Sequence, residues 1–318
     1  TNLDNAIYVW DGTQYASYVP GIGAGGSGNQ NNEIAPMQAF FVHANADNAS
    51  VSLNNSHRIH SSDPFLKKGK TEKISNIVEL IVTGNNYTDK TIIALNDNAS
   101  ADFDTKYDAY KLFSGYANVP HIYSLINNGM ISLSINAMDK SINEDLIIPL
   151  GFKVQSAGNY NLSFGDFDAF DDLNLYFEDS ETGLFVPIQL LGDYQFYFEG
   201  GQNDDRFSIH FMINTPPVAQ NLIDAQIVFE DEHSEIVINQ NTFKEVDLGD
   251  QIVTYEAKLT DGGVLPEWLI FDQDNLMFTA MPENEHVGEY WIRLSAYDTH
   301  NSEGYTDFLL TVINTNDA

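Results

Sequence analysis

The length, composition and charge of the chain exclude several classes of function. Its 318 residues suffice for two domains, and 46 Asp and Glu against 14 Lys and Arg give a formal charge of −32 at pH 7. Nucleic acids and anionic membranes require basic residues that neutralise phosphates, so we expect neither nucleic-acid binding nor membrane insertion. A neutral glycan, a cationic partner or a bound divalent metal ion is compatible with this charge. Cysteine is absent, which excludes disulfides and thiolate sites.

The N-terminal stretch combines a strand pattern with clustered aromatic residues. Tyr8, Trp10, Tyr15 and Tyr18 precede a glycine-rich stretch at residues 21–28. Aromatic faces stack on the apolar faces of sugar rings, and a glycine-rich loop would let a polysaccharide approach the backbone. We therefore predict that Trp10, Tyr15 and Tyr18 bind a polysaccharide or a cell-surface glycan. The alternative is that Tyr8 and Trp10 share one buried strand face, while Tyr15 and Tyr18 are exposed.

The rest of the chain alternates short apolar runs with turn residues. Such runs occur at residues 77–82, 91–95, 147–150 and 207–211, and clusters of Gly, Asn, Asp and Ser separate them. These features predict β-strands joined by turns. No long stretch keeps a 3.6-residue apolar period, so we predict an all-β fold made of two tandem β-sandwich domains.

A pair of prolines indicates where the two domains meet. Pro216 and Pro217 follow a strand-like segment and oppose continued sheet pairing. We predict domains at residues 1–213 and 214–318, and a truncation of the first at its N-terminus is an open alternative. The Ile-Asn-Thr sequence at Ile213 recurs at Ile313, about one immunoglobulin-sized domain later. The chain therefore resembles a segment of a longer array, whose partners would include neighbouring domains of the same polypeptide.

The second predicted domain carries a set of short motifs in a specific order. They include Asp247-Leu248-Gly249-Asp250, Leu265-Pro266-Glu267-Trp268-Leu269, Ala296-Tyr297-Asp298 and Asn314-Thr315-Asn316-Asp317-Ala318. The region closely resembles the dystroglycan-type cadherin-like domains of bacterial surface proteins. That resemblance implies an immunoglobulin-like sandwich of seven strands. Trp268 and Phe271 are expected to be buried in its core rather than to form a sugar platform.

The resemblance also implies a calcium site at one end of this domain. Calcium takes about six to eight oxygen ligands, which cadherin-like domains gather from separate acidic motifs. By that pattern the expected Ca²⁺ ligands are Asp247, Asp250, Asp298, Asn316 and Asp317, with Glu230 or Glu232 as an added carboxylate. Asn314 also belongs to the motif that resembles the exit linker. The alternative is that these acidic residues are solvated surface of an acidic protein.

The first domain shows a second, less specific resemblance. Its sequence includes Tyr8-Val9-Trp10-Asp11-Gly12, Ala35-Pro36-Met37-Gln38-Ala39-Phe40-Phe41-Val42 and Ile148-Pro149-Leu150-Gly151-Phe152. These segments resemble parts of large secreted or surface proteins of Bacteroidetes that use the type IX secretion system. The resemblance implies an extracellular or cell-surface location and leaves the biochemical role open.

Sequence motifs of enzymes are absent or out of context. The chain has no HExxH, GxSxG or P-loop motif, and its glycine-rich stretch follows Pro20 instead of a strand. We expect a non-catalytic binding or adhesion segment with a calcium-stiffened second domain. Two alternatives are a purely structural spacer and, less favoured, a glycoside-active enzyme, since paired carboxylates leave no sequence motif.

Overall fold

A computed structural model describes residues 2–27, 30, 33–59, 76–165, 170 and 173–315. The chain divides into two compact units, Thr1–Ile213 and Asn214–Ala318. In the described part, helix is limited to α1 (Ile188–Leu191) and to 3-10 turns at Asn55–His57 and Asn284–His286. The predicted all-β fold class is thereby confirmed. Among the described residues, no helix has the length and apolar character to cross a membrane.

The first unit contains strands that are hydrogen-bonded into one large, branched sheet. Its strands are β1 (Leu3–Trp10), β2 (Tyr15–Val19), β3 (Gly23–Gly26), β4 (Phe40–Ala44), β5 (Ile77–Gly84), β6 (Tyr87–Leu95), β7 (Ala109–Tyr110), β8 (His121–Ile126), β9 (Ile131–Met138), β10 (Leu146–Val154), β11 (Gly158–Phe164), β12 (Leu173–Asp179), β13 (Leu184–Pro187), β14 (Tyr194–Phe198) and β15 (Gly201–Ile213). One run of this sheet is ordered β13-β12-β15-β10-β8-β9, and a branch from β6 is ordered β5-β11-β14.

The main core of the first unit lies between that run and that branch. Buried side chains from β5, β11 and β14 share one cluster with side chains from β10, β12 and β15. Phe152 of β10, for example, has its ring 5.1 Å from that of Phe196 and 4.9 Å from that of Phe198, both on β14. The two layers therefore form a β-sandwich, because each buries its apolar face against the other.

Strands β1–β4 extend the sheet in the order β6-β3-β2-β1-β4. Side chains of β1 and β2 share a second, smaller core with side chains of β6, β7 and β9. The glycine-rich stretch was predicted to be an exposed loop, and this prediction is wrong. Gly23–Gly26 forms β3, a buried strand between β2 and β6. A Cβ on Gly25 would collide with the backbone oxygen of Ser134. Glycine is therefore required here for close packing of strands and not for the approach of a ligand.

The second unit is an immunoglobulin-like sandwich. Its strands are β16 (Val218–Ala219), β17 (Gln226–Phe229), β18 (Ser234–Val237), β19 (Phe243–Lys244), β20 (Ile252–Leu259), β21 (Leu269–Asp272), β22 (Met277–Ala280), β23 (Gly288–Asp298) and β24 (Glu303–Ile313). One sheet has the order β17-β24-β23-β20, the other β18-β22-β21, and β16 pairs with β19. Strands β17 and β24 run parallel, whereas β23 and β24 form a long antiparallel pair.

The aromatic residues of this sandwich are less deeply buried than predicted. Phe278 and Phe308 lie in the core, and Trp268 and Phe271 pack against it but remain partly exposed. The Trp268 ring contacts Tyr290, with centroids 5.0 Å apart. The prediction that Trp268 and Phe271 are buried core residues is therefore only partly right, because both lie at the margin of the sandwich.

Candidate ligand and metal sites

Four aromatic side chains form a continuous surface on the first unit, here called the aromatic strip: Tyr116, Trp10, Tyr15 and Phe41. The ring centroids of Trp10 and Tyr116 are 6.3 Å apart with an interplanar angle of 20°, which is a stacked arrangement. Trp10 and Tyr15 are 4.8 Å apart, and Tyr15 and Phe41 are 5.9 Å apart. The two ends of the strip are open to solvent, since Tyr116 is 53% and Phe41 49% exposed.

The strip follows from local structure in the β1–β2 hairpin. Trp10 and Tyr15 are cross-strand partners, so their side chains project from the same face. The Asp11 carboxylate closes the intervening turn by accepting hydrogen bonds from the backbone N–H groups of Thr13 and Gln14, both at 2.8 Å. These bonds set the hairpin register and thereby hold the Trp10 and Tyr15 rings side by side.

Tyr116 reaches the strip from a distant segment of the chain. The Ser114 hydroxyl donates to the carbonyl of Thr13 at 2.5 Å and accepts from the backbone N–H of Tyr116 at 3.1 Å. The backbone N–H of Ser114 also donates to Nε2 of His121 at 3.2 Å. Ser114 therefore ties the loop that carries Tyr116 to the hairpin that carries Trp10.

The structure brings together only two of the three predicted ligand-binding residues. Tyr18 is three residues after Tyr15 on β2, and side chains alternate along a strand, so the two project from opposite faces. The alternative interpretation is right for Tyr8, which is buried, whereas Trp10, Tyr15 and Tyr18 are all partly buried. Tyr116 and Phe41 were missed in the sequence because their proximity to Trp10 depends on tertiary contacts.

A cluster of acidic side chains lies at one end of the second unit, here called the N-terminal pole. One ligand atom from each of Glu245, Asp247 and Asp250 lies within 4.8 Å of the other two, and the same holds for Asp250, Asp298 and His300. Asp250 therefore lies close both to Asp247, which belongs to the same motif, and to Asp298, which belongs to a separate one.

Hydrogen bonds fix most of these carboxylates in place. The buried Asp298 accepts from the backbone N–H groups of His300 and Ser302 at 2.9 and 2.8 Å, and from the side-chain amide of Asn214 at 2.8 Å. Burial alone would raise the pKa of Asp250, but hydrogen bonds from Thr299, Gln251 and His300 outweigh it, and the pKa is lowered. Asp250 is therefore a carboxylate at neutral pH.

Glu245 supplies the oxygen that is best placed to take a cation. Its Oε1 accepts from the backbone N–H groups of Val246 and Asp247 at 2.7 and 3.0 Å. Its Oε2 is buried and has no hydrogen-bond partner among the described residues. Glu245 was not predicted as a ligand, although it lies only two residues before Asp247 in the sequence. An unpartnered buried carboxylate oxygen beside two further carboxylates fits a hard cation such as Ca²⁺.

Glu230 and Glu232 do not belong to this cluster, and their assignment to it is corrected. Glu230 follows β17 and lies at the far end of β24, where its Oε1 accepts from the backbone N–H of Thr315 at 2.8 Å. Strand β24 has 11 residues, so roughly 35 Å separates its ends. Glu232 is exposed near that far end. Asn314 also lies there, whereas Asn316 and Asp317 are outside the described residues.

The fold and these sites define a two-domain, all-β protein with an immunoglobulin-like second domain. A family model described as a putative Ig domain matches residues 216–313. A second model, described as a domain of unknown function (DUF8693), matches residues 3–211, which is more than half of the chain. The chain therefore belongs to the DUF8693 family. The two matches agree with the predicted layout of an N-terminal domain followed by an immunoglobulin-like one.

Two solved structures are distantly similar to the chain. The endo-fucoidan hydrolase MfFcnA4 from glycoside hydrolase family 107 is 9% identical, with 84% of this chain and 38% of that chain covered at a TM-score of 0.25. For MfFcnA9 of the same family the identity is 11%, the coverage 68% and 27%, and the TM-score 0.19. This chain thus spans well under half of either enzyme, and such scores support no inference about activity. No curated protein matched the chain.

Proposed function

We propose that this chain is a non-catalytic, extracellular carbohydrate-binding segment whose aromatic strip holds a neutral polysaccharide. The observation that carries the proposal is the row of four rings from Tyr116 to Phe41, both ends of which are solvent-exposed. An exposed aromatic surface of this kind is unusual without a partner. The exposed rings of Tyr116 and Phe41 at the two ends offer platforms for the apolar faces of sugar units.

Charge favours a neutral ligand over a sulfated or carboxylated one. The net charge of −32 repels polyanions, and Asp11 lies directly beside the strip. We therefore assign the strip to uncharged polysaccharide chains. A resemblance to surface proteins of Bacteroidetes is consistent with an extracellular location.

The first prediction concerns Tyr116. Replacing Tyr116 with alanine removes one platform from the exposed end of the strip and should weaken binding of a neutral oligosaccharide about tenfold, which corresponds to about 1.4 kcal/mol. The measurement is a glycan array followed by titration calorimetry on the full chain, with neutral and sulfated glycans in parallel. Tyr116 makes few core contacts, so the variant should fold normally.

Tyr197 provides a matched control on the same unit. It is 56% exposed, close to the value for Tyr116, and it lies on β14, away from the strip. Tyr197→Ala should bind like the wild type. If both variants lost the same amount of affinity, the glycan site would not be the aromatic strip. If the wild type bound no neutral glycan, the chain would be interpreted as a structural spacer.

We further propose that the N-terminal pole binds Ca²⁺ and stiffens the second unit in the manner of cadherin-like domains. Glu245, Asp247 and Asp250 would hold the ion, and Asp298 would position the surrounding loops. The specific observation is the buried Oε2 of Glu245 with no partner among the described residues. Two carboxylates 4 Å apart repel by about 4 kcal/mol at an effective dielectric constant near 20, and a divalent ion reverses this repulsion.

The second prediction is a calcium-dependent melting temperature. With a Kd of the order of 10⁻³ M, as in extracellular modules, about 10 mM Ca²⁺ should raise the melting temperature of the second unit by about 5 °C relative to chelator. Calorimetry on the full chain would resolve the two units. The double variant Glu245→Gln plus Asp247→Asn should lose this shift, while the exposed Asp274→Asn should keep it. A wild type that melts identically in calcium and in chelator would show that the cluster is only a hydrogen-bonded loop support.

A further inference from the structure

A lysine and an aspartate are in contact in the interior of the first unit. Nζ of Lys111, just after β7, is 2.5 Å from Oδ2 of Asp89 on β6, and the two side chains are 2% and 1% exposed. Twenty-two positions separate them in sequence. The separation is shorter than the usual 2.7–2.9 Å of an N–H···O⁻ hydrogen bond.

We propose that Lys111 and Asp89 form an intramolecular isopeptide bond. The bond would join Nζ of Lys111 to Cγ of Asp89 and release one molecule of water. The chain has no cysteine, so this amide would be a covalent cross-link of a kind that disulfide chemistry cannot supply here.

The surroundings favour the uncharged forms that amide formation requires. Burial raises the pKa of Asp89 and lowers the pKa of Lys111, in each case against the opposing effect of the partner's charge. Lys111 can therefore exist as a neutral amine beside Asp89 as a neutral carboxylic acid. The neutral amine is a nucleophile, as in other lysines activated by desolvation.

His121 lies beside the pair as a buried neutral ring. Its Nε2 accepts from the backbone N–H of Ser114, so its Nδ1 carries the hydrogen. That Nδ1 is 3.9 Å from Oδ2 of Asp89 and has no hydrogen-bond partner among the described residues. Burial lowers the pKa of His121 to about 3, so the ring is neutral.

The reaction balances without any outside oxidant or reductant. The Nζ lone pair attacks Cγ, and the backbone N–H of Ile122, 2.8 Å from Oδ2, stabilises the oxygen that becomes negative. The hydroxyl of the neutral carboxylic acid leaves as water when it receives a proton from the attacking nitrogen, and the amide carbonyl re-forms at Oδ2.

The third prediction tests this bond by mass. The wild-type chain, unfolded in denaturant, should be about 18 Da lighter than its sequence mass, and a protease digest should contain the Lys111 peptide joined to the Asp89 peptide. A mass equal to the sequence mass, with both peptides separate, would overturn the proposal and identify an ordinary buried ion pair. This measurement does not depend on the folding of any variant.

Three variants make the assignment specific. Asp89→Asn should release ammonia instead of water and so lose about 17 Da, while Lys111→Met should keep its full mass. Lys90→Met, which alters the neighbouring contact between Lys90 and Glu79, should retain the loss of about 18 Da. A loss of about 18 Da that persists in Lys111→Met would show that the mass change arises elsewhere and would also overturn the proposal.

Discussion

Replacing Lys111 with methionine is expected to destabilise the first unit by about 3–5 kcal/mol, because removal of one partner leaves the other buried without compensation. Asp89 would retain its hydrogen bond from the backbone N–H of Ile122 but lose its contact with Nζ of Lys111. The measurement is urea denaturation of the full chain, with unfolding monitored by fluorescence and circular dichroism. If the two residues are covalently linked, the loss of that link in Lys111→Met would also destabilise the unit.

The neighbouring pair of Lys90 and Glu79 provides the control. Their charged atoms are 3.3 Å apart, and the two side chains are 11% and 23% exposed, so water reaches this contact more readily than the contact between Lys111 and Asp89. Lys90→Met should therefore cost about 1 kcal/mol or less. If Lys111→Met proved as mild as Lys90→Met, Asp89 would have to be stable as a buried neutral acid, and the argument from an uncompensated charge would fail.

A single methyl group at Gly304 should destabilise the second unit by about 3 kcal/mol. Gly304 lies on β24, and a Cβ there would overlap the backbone carbonyl of Pro217. Backbone cannot rotate away as a side chain does, so Gly304→Ala has to displace the segment that begins at Asn214. Chemical denaturation of the full chain, with the second transition assigned to this unit, measures the loss.

Displacement of this segment has a further consequence at the N-terminal pole. Asn214 donates to Asp298, and the backbone N–H of Thr215 donates to Asp247 at 2.6 Å. Gly304→Ala should therefore also reduce the calcium-dependent shift. Gly263→Ala is the control, because a Cβ there first meets the movable Asp261 side chain at 3.0 Å and should cost less than about 1 kcal/mol. Equal stability of the two variants would mean that Pro217 does not pack on Gly304.

Much of the fold could be predicted because it depends on local patterns. Alternating apolar runs predicted the strands, and the double proline at Pro216 and Pro217 lies where one unit ends and the next begins. The proximity of Asp250 to Asp247 and to Asp298 could be expected from a resemblance, since homologous loops occupy homologous places. Strand content and the positions of loops can thus be predicted from short stretches of sequence.

The aromatic strip could be predicted only in part, because it depends on distant contacts. Trp10 and Tyr15 flank one turn, so their proximity is encoded locally. Tyr116 reaches Trp10 from 106 positions away through the Ser114 contact, and no local pattern specifies that. Tyr18 was wrongly predicted to belong to this surface because it lies close to Tyr15 in sequence. Side chains alternate along β2, so Tyr18 projects from the face opposite to that of Tyr15.

The parallel pairing of β17 with β24 determines how the second unit responds to a pulling force. The chain enters beside Asp298 and leaves beside Glu230, at opposite ends of β24. Tension applied through the two ends therefore draws β17 and β24 in opposite directions along their shared length. The backbone bonds between residues 226–229 and 310–313 are then loaded together in shear rather than opened one after another. A unit built this way resists stretching when force is applied through its two ends.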